Sequence, residues 1–497
     1  MRLLFVSPEI FPMAKTGGLG DVSGALPGAL AEAGVDVRLV MPAYPGALAA
    51  VVDKRESVPL ADFTGLGQAN VIEARTPDSG LPIFLIDCPT LYDRAGGPYQ
   101  DERGREWPDN VKRFGMLSRA AAELAVATSP SGWLPDVVHA HDWQTGLVPA
   151  LLAARPEPRP ASVFTIHNMG FPGIFPASTF PLLGLPQEAF SAGGVEYYNQ
   201  VSLLKAGLVY ADHLTTVSPT YAREIQTPQF GFGFDSLLRA RADRLSGILN
   251  SVDYRVWDPA VDAQIKAPYS AADLSGKAAC KSALQAEMDL DAAPTAPLIG
   301  VISRLTSQKG LDLALEALPP LIKGGAQFVL LGTGDPVLQR RFLELGARHP
   351  RRVAVRIAYD EGLAHRIEAG SDMYLMPSRF EPCGLNQMYS LRYGTPPIVH
   401  AVGGLADSVV DASEANLSAG TATGFVFHPP NANALREALR RALELYGQRE
   451  RWLELQRTGM RQDFGWAGVA QLYVALYEFV LERTTLERAQ SRSHIAK

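Results

Sequence analysis

Three glycine-bearing loops and one pair of histidine-containing segments hold the side chains of this chain that could do chemistry. The first loop is Lys15-Thr16-Gly17-Gly18-Leu19-Gly20-Asp21. Glycines let a backbone approach a ligand closely, and a helix N-terminus favours anions. Lys15 would add a mobile cation beside exposed amides. The spacing fits neither the Walker A pattern nor the dinucleotide fingerprint G-x-G-x-x-G, and a tight turn would use the same glycines. The second loop is Ser303-Arg304-Leu305-Thr306-Ser307-Gln308-Lys309-Gly310. Arg304 and Lys309 are spaced to meet one phosphate-like group from two sides, a guanidinium fork and a point charge forming a diphosphate clamp; two solvated surface cations are the plain alternative. The third loop is Pro377-Ser378-Arg379-Phe380-Glu381-Pro382-Cys383-Gly384-Leu385-Asn386-Gln387. Glu381 could accept sugar hydroxyls or stabilise positive charge, with the amides of Cys383, Gly384 and Leu385 facing a donor molecule. Otherwise it is a helix-start carboxylate favoured by the dipole. Cys383 has no evident His partner and reads as a packed thiol, not a nucleophile.

The histidines lie in His139-Ala140-His141-Asp142-Trp143 and in Phe164-Thr165-Ile166-His167-Asn168. Alternation puts His139 and His141 on one strand face, but no third ligand completes a metal set. His167 closes a strand at its carboxyl end, where α/β proteins bind ligands; a packed, hydrogen-bonded histidine is the bland reading. Asp289-Leu290-Asp291 imitates a metal–nucleotide motif, yet it precedes Pro294 and Pro297 and reads as a solvated turn.

These loops must be carried by strands alternating with helices. Strands are expected over 2–7, 35–41, 82–87, 136–140, 162–167 and 213–218. Helices are expected from Asp21 as cap to Gly34 as stop, kinked at Pro27, over 110–127 and from Gly146. A second series has strands at 297–303, 327–332, 352–357, 372–377 and 397–400, with helices over 310–320, 335–348, 361–370 and 384–393. Alternation of this kind implies parallel sheets with right-handed crossovers. The fold class is α/β, with two doubly wound domains, each with its site at the carboxyl ends of its strands. The domains are expected at 1–255 and 256–465, joined by an Ala/Asp/Pro-rich linker over 255–295. The tail from Asn431 reads as several helices, with a C-terminal segment 466–497 whose charged end, Arg483–Lys497, should fray.

Composition narrows the class. The 497 residues are 47% hydrophobic and 20% charged, enough for large cores, so a disordered chain is excluded. Lys plus Arg number 46 against 52 Asp plus Glu, a formal net charge of −6, which disfavours a nucleic-acid partner. Cys88, Cys280 and Cys383 lie far apart and suit neither zinc nor a disulfide framework; reduced thiols in a cytoplasm are the simplest reading. The apolar N-terminal run ends too early for a signal peptide, and no run of apolar residues is long enough to span a membrane.

Taken in order over roughly residues 1–480, the segments resemble the family of bacterial glycogen synthases and plant starch synthases. The matching stretches are Lys15–Asp21, Pro135–Trp143, Phe164–Asn168, Lys205–Asp212, Val217–Glu224, Leu249–Asp253, Ser303–Gly310, Leu331–Pro336, Pro377–Gln387 and Gly403–Asp407. The resemblance implies a GT-B glycosyltransferase: two Rossmann-like domains facing a deep cleft, closing over the donor, with C-terminal helices packing back toward the first domain. It implies transfer of glucose from ADP-glucose to the non-reducing end of an α-1,4-glucan (glycogen), with retention of configuration, no metal and no cofactor. By match to the family motifs, His167, Arg304, Lys309 and Glu381 would be catalytic. Lys15, Gly17, Gly18, Asp21, Asn250, Cys383, Gly384, Leu385 and Asn386 would bind the nucleotide sugar, and Tyr359 would stack on adenine. Tyr99, Asp142 and Asn168 fall on the acceptor side. Asn386 stands where some members carry Thr, and either side chain can hydrogen-bond.

The chemistry of the residues agrees. A departing diphosphate needs stabilisation as the anomeric bond breaks, and Arg304 and Lys309 supply it without a metal. A retaining hydrolase uses two carboxylates flanking the bond. Here only Glu381 is evident, so it should orient the donor or stabilise charge without forming a glycosyl-enzyme. Three rivals remain: a phosphorylase, which needs a lysine-bound pyridoxal phosphate that no motif supports; a non-catalytic glucan-binding protein, which would not need all five of Lys15, His167, Arg304, Lys309 and Glu381; and a related transferase acting on a small acceptor or using UDP-glucose. Oligomeric state is not set by the sequence.

Overall fold

The computed structural model describes residues 1–126 and 132–495. The chain forms two compact units, one of Met1–Ile248 with Trp466–Lys497 and one of Leu249–Gly465. The division falls after Ile248, not at 255, so Asn250 belongs to the second unit, and the C-terminal segment belongs to the first.

The first unit is built on β1 (Arg2–Val6), β2 (Asp36–Pro42), β3 (Val58–Phe63), β4 (Gly67–Arg75), β5 (Pro82–Asp87), β6 (Val137–His141), β7 (Ala161–Ile166), β11 (His213–Thr216) and β12 (Leu245–Gly247). Their order is β12-β11-β7-β6-β1-β2-β5-β4-β3. All neighbours are parallel except β4, which runs antiparallel to both β5 and β3. Leu3–Val6 are wholly buried, as befits a strand covered on both faces. In register, Phe5 lies between Leu39 and His139. The chain moves from β1 to β2 on one side and returns later to β6 on the other, so β1 and β6 flank the reversal of strand order where α/β sheets bind ligands. A small antiparallel sheet of β8 (Ile174–Pro176), β9 (Glu196–Tyr197) and β10 (Gln200–Ser202) sits beyond the expected strands, in the order β8-β10-β9.

The first helix spans Gly18–Glu32 with Gly17, not Asp21, at its N-cap. Asp21 lies in its first turn, and the helix runs through Pro27, whose burial beside Leu26 and Leu30 compensates for the lost hydrogen bond. The helix expected over 110–127 ends at Leu124, and Ala127 lies outside the described residues. The last helix, Trp466–Ile495, buries Ala470, Tyr473, Tyr477 and Val480. The start of the stretch expected to fray is tied down: Arg483 reaches Asp243 at 2.7 Å and Glu487 at 3.0 Å, and Arg244 reaches Glu487 at 2.8 Å; residues 496 and 497 lie outside the described residues.

The second unit has β13 (Leu298–Ile302), β14 (Gln327–Leu331), β15 (Val353–Arg356), β16 (Met373–Met376), β17 (Pro397–His400) and β18 (Phe425–Phe427). They are all parallel, in the order β15-β14-β13-β16-β17-β18. That is the doubly wound nucleotide-binding order, with its reversal between β13 and β16. Ile299, Val301, Phe328, Leu330, Leu375 and Ile398 form the sheet's share of the core. The span expected as a linker is not one. It contains a helix, Ser275–Glu287, packed on the Glu361–Gly370 helix. Lys277 is buried and donates to the carbonyls of Ala369 (3.0 Å) and Tyr393 (2.9 Å) and to Thr395 Oγ1 (2.7 Å).

Candidate functional site

Each unit carries one constellation at its strand-order reversal. In the first, the chain leaves β1 and folds over Glu9 before reaching the glycine loop. Glu9 is 3% exposed. It accepts from the Thr16 backbone N–H at 2.5 Å, from Thr16 Oγ1 at 2.9 Å and from Tyr99 OH at 2.7 Å. Burial pushes its carboxyl above the ordinary range, and those donors oppose the shift. Glu9 thus ties Tyr99, ninety residues on in sequence, to the loop. Sequence reasoning missed it; the only signal was a carboxylate placed directly behind a buried strand, in Ser7-Pro8-Glu9-Ile10. Lys15 Nζ lies 2.9 Å from Asp21 Oδ1. Gly17 and Gly18 are exposed at the helix start, and the space where a Gly17 side chain would stand is open.

After β6 the chain turns at Asp142, whose φ of 60° and ψ of 178° lie in a region that side chains other than glycine's avoid. Its carboxylate accepts from the backbone N–H groups of His167 (3.2 Å) and Asn168 (3.4 Å), joining the ends of β6 and β7. Burial raises Asp142 to about 7. His141 Nδ1 stands 3.0 Å from His167 Nε2. His139, on the same face as expected, bonds Thr165 Oγ1 at 2.6 Å and Tyr477 OH at 2.8 Å. Burial depresses all three, His139 and His167 to about 3 and His141 well below its usual value, so the imidazoles are neutral near pH 7. Asn168 Oδ1 accepts from the Gly170 N–H at 2.9 Å.

In the second unit, the loop after β13 carries Arg304 and Lys309, and the loop after β16 carries Glu381. Lys309 Nζ donates to Glu381 Oε2 at 2.6 Å, and Ser378 Oγ donates to the same oxygen at 2.8 Å. Gly310, with φ of 62°, starts the next helix; a Cβ there would stand 2.0 Å from the Pro377 carbonyl oxygen, so only glycine lets the two loops meet. The Glu381 loop is backed by Gly403, where a Cβ would come within 1.9 Å of the Glu381 carbonyl. The Arg304 guanidinium is exposed and has no hydrogen bond or ion pair among the described residues, while its carbonyl accepts from the Thr306 N–H at 3.0 Å. The Asn250 backbone N–H is directed at the Cys383 sulfur, and its Oδ1 is buried without a partner. Burial pushes the Cys383 thiol far up, which leaves it unreactive. Gly384 and Leu385 precede the Asn386–Arg392 helix. The Asn386 amide is spent on the fold, donating to Ile302 O (3.0 Å) and Tyr374 OH (2.6 Å). Tyr359 is 74% exposed, its hydroxyl 2.7 Å from Glu361.

The predicted residues therefore assemble as Lys15 with Asp21, Asp142 with His167 and Asn168, Lys309 with Glu381, and Asn250 with Cys383, while Tyr99 is joined to its loop through Glu9. Arg304 and Tyr359 stand apart from these contacts. Among the described residues no group of three His, Cys, Asp or Glu side chains could hold a metal, and no helix is long and apolar enough to cross a membrane. A cavity of about 400 Å³ lined by Tyr254, Asp258, Arg392 and Asp463 includes none of these residues.

Comparison with known proteins gives concordant matches. Residues 2–240 match the family described as the starch synthase catalytic domain, and residues 287–458 match glycosyl transferases group 1. The chain is 53% identical over 480 residues to a glycogen synthase of Paramagnetospirillum magneticum, covering 96% of this chain and 97% of that one. It is 49% identical over 486 residues to one of Nitrosospira multiformis, covering 97% and 98%. Among solved structures, the catalytic domain of starch synthase IV from Arabidopsis thaliana, bound to ADP and acarbose, superposes with a TM-score of 0.88 at 34% identity, covering 97% of this chain and 99% of that one. A sucrose-phosphate synthase from Thermosynechococcus elongatus, at 18% identity and a TM-score of 0.59, shares the fold alone.

Proposed function

The chain belongs to the glycogen and starch synthase family of glycosyltransferases, and from that premise we propose that it transfers glucose from ADP-glucose to the non-reducing end of an α-1,4-glucan, retaining the anomeric configuration. The observation that carries this reading is the placement of the Arg304–Lys309 loop and the Glu381 loop after β13 and β16, the two strands flanking the reversal of a nucleotide-binding sheet. The ADP in the Arabidopsis structure supports the choice of nucleotide.

In this reading Arg304 and Lys309 hold the diphosphate, and the amides of Cys383, Gly384 and Leu385 add fixed dipoles. Asn250 and Asn386 stand at the same loops, and Tyr359 offers an exposed ring to the base. The anomeric C1–O bond breaks with its electron pair leaving on the diphosphate. The acceptor O4 bonds to C1 on the same face, and its proton passes to the departing phosphate oxygen, giving ADP and a glucan longer by one unit. Glu381, salt-bridged to Lys309, orients the donor glucose and balances positive charge. Lys15, Asp21 and the Gly17–Gly18 amides meet the nucleotide sugar. Neutral His167 serves as a hydrogen-bonding group at the reacting centre, and Tyr99, Asp142 and Asn168 serve the acceptor. No metal or other cofactor takes part, the two basic side chains supplying the charge a divalent ion would bring. The three buried, unpaired cysteines support a reducing, cytoplasmic setting.

The deciding experiment incubates the protein with labelled ADP-glucose or UDP-glucose and glycogen, in excess chelator, and counts label in precipitated polymer. Label from ADP-glucose that β-amylase releases as maltose is the expected result. Label only in soluble products, or incorporation that returns only on adding Mg²⁺, would overturn it.

A further inference from the structure

His141 closes β6, opposite Thr165 of β7 in register, and is wholly buried. Its ring packs against those of Phe5, at 4.1 Å between centroids, and His139, at 4.0 Å. Its Nδ1 stands 3.0 Å from His167 Nε2. Its other nitrogen, Nε2, is buried with no hydrogen-bond partner among the described residues. Burying an imidazole with one nitrogen unbonded costs stability that an apolar residue at this strand end would not cost, which directs attention to the one bond that is made. The recipient of that bond is fixed at three points. The His167 N–H donates to Asp142 at 3.2 Å, the following Met169 N–H donates to Tyr221 OH at 3.0 Å, and His141 holds the ring. Nδ1 is then the one ring nitrogen of His167 without a hydrogen bond among the described residues.

Both imidazoles are neutral near pH 7, burial holding them far below it, so each ring carries a single N–H. Two arrangements of the protons close the bond between them. If His167 donated from Nε2, the His141 proton would sit on Nε2, a buried N–H with no acceptor. The nitrogens of His139 are engaged by Tyr477 and Thr165, and Phe5 offers only carbon. Orphaned buried N–H groups are rarer in folded proteins than under-satisfied acceptors. The bond therefore runs from His141 Nδ1–H to His167 Nε2, and the His167 proton lies on Nδ1.

We propose that His141 is a positioning residue for the transfer: by donating from Nδ1 to His167 Nε2 it fixes the tautomer of His167, leaving Nδ1–H to donate to an oxygen of the reacting sugar. This rests on the transfer reading above, in which His167 stands at the reacting centre. Which nitrogen of a histidine carries the proton is set by the bond the other nitrogen makes. The reversed pair would present a bare nitrogen to the sugar, and its lone pair would repel a ring or ether oxygen. The arrangement assigned here gives a neutral donor in a fixed direction, aimed before the substrate arrives.

The test joins a spectrum to rates. In protein labelled with 15N at histidine alone, long-range imidazole correlations show which nitrogen carries each proton, and His167 is identified by the signal missing from His167→Gln. The parent should show His167 protonated on Nδ1. His141→Phe fills the space without a donor and should lower kcat about ten- to hundredfold with little change in the KM for ADP-glucose. His141→Asn keeps a side-chain N–H near the Nδ1 position and should recover most of that loss. In a His167→Ala background, His141→Phe should cost no more than about twofold further. A parental His167 with its proton on Nε2 would overturn the proposal whatever the rates. So would a folded His141→Phe with kcat within about threefold of the parent, or an undiminished effect of His141→Phe in the His167→Ala background, which would make that effect one of packing. A folded His141→Asn no more active than about a tenth of the parent would overturn it as well. Neither the parental spectrum nor His141→Asn depends on His141→Phe folding. If the parent transferred glucose to no acceptor, the transfer reading would fail separately, because the spectrum reads the tautomer without turnover.

Discussion

Replacing Lys309 by Ala tests the donor chemistry and can be dissected quantitatively. In the folded protein Lys309 does two things: it neutralises Glu381, whose side chain is only 6% exposed, across 2.6 Å, and in the proposed mechanism it meets the departing diphosphate. Losing the first function leaves a nearly buried carboxylate with Ser378 as its remaining donor, a loss of about 2–3 kcal/mol in stability. Losing the second removes one aimed charge from the transition state, about 2.7–4 kcal/mol, or a 10²–10³-fold fall in kcat/KM for ADP-glucose. Initial rates of label transfer at saturating glycogen, read beside thermal unfolding, separate the two. The double variant Lys309→Ala/Glu381→Gln no longer buries an unpaired charge and should regain most of the lost melting temperature while staying inactive. Activity of Lys309→Ala within about threefold of the parent, in folded protein, would refute the assignment. Recovery of activity in the double variant would refute it too, since Lys309 would then act only through Glu381.

Arg304→Ala should lower kcat/KM by about 10² while leaving thermal unfolding within about 0.5 kcal/mol of the parent, because the exposed guanidinium has no partner among the described residues; a matching loss of stability would contradict this. Gly310→Ala should destabilise the second unit by about 2 kcal/mol or more, since its Cβ would stand 2.0 Å from the Pro377 carbonyl; denaturant titration at parental midpoint would contradict it. Asp142, raised to about 7 by burial, favours the protonated form on folding. The stability it contributes is full below about pH 4, its ordinary value, and is lost as pH climbs to about 7. Asp142→Asn should therefore gain stability relative to the parent between pH 5 and pH 8 and should lose any ionisation near 7 from the pH profile of kcat/KM. With His167 held near 3, no step near 6.5 should disappear in His167→Gln.

Much of the site was legible because its residues follow strands. The expected strands at 2–7, 136–140, 162–167, 297–303 and 372–377 became β1, β6, β7, β13 and β16, and the five chemistry-bearing segments lie at or beyond their carboxyl ends. Strands buried on both faces read as continuous apolar runs, so periodicity located them even though it could not order them. What escaped was short, edge-placed or inverted in pattern. The β3–β4 hairpin carries Pro59 and is half-buried, which hides it from a search for buried parallel strands. β8–β10 have two or three residues each. The Ser275–Glu287 helix turns Lys277 and Lys281 inward, one to three fold acceptors and the other to Asp372 at 2.6 Å. Two lysines four residues apart break the apolar stripe, which hides the helix in a segment whose composition suits a linker.

The partners of the site residues escaped for a different reason. Spacing could place Lys309 and Glu381 on two loops, but their contact spans 72 residues and depends on Gly310 letting one loop lie against Pro377. Tyr99 could be carried over from a family motif, but not the carboxylate of Glu9 that fixes it to the glycine loop. Asn386 was expected at a ligand, yet its amide is already engaged by Tyr374 and Ile302. Its expected exchange for Thr then turns on the fold: a Thr hydroxyl can replace one of those two donations but not both, so the substitution should act on the junction of β13 and β16 before it acts on a bound sugar.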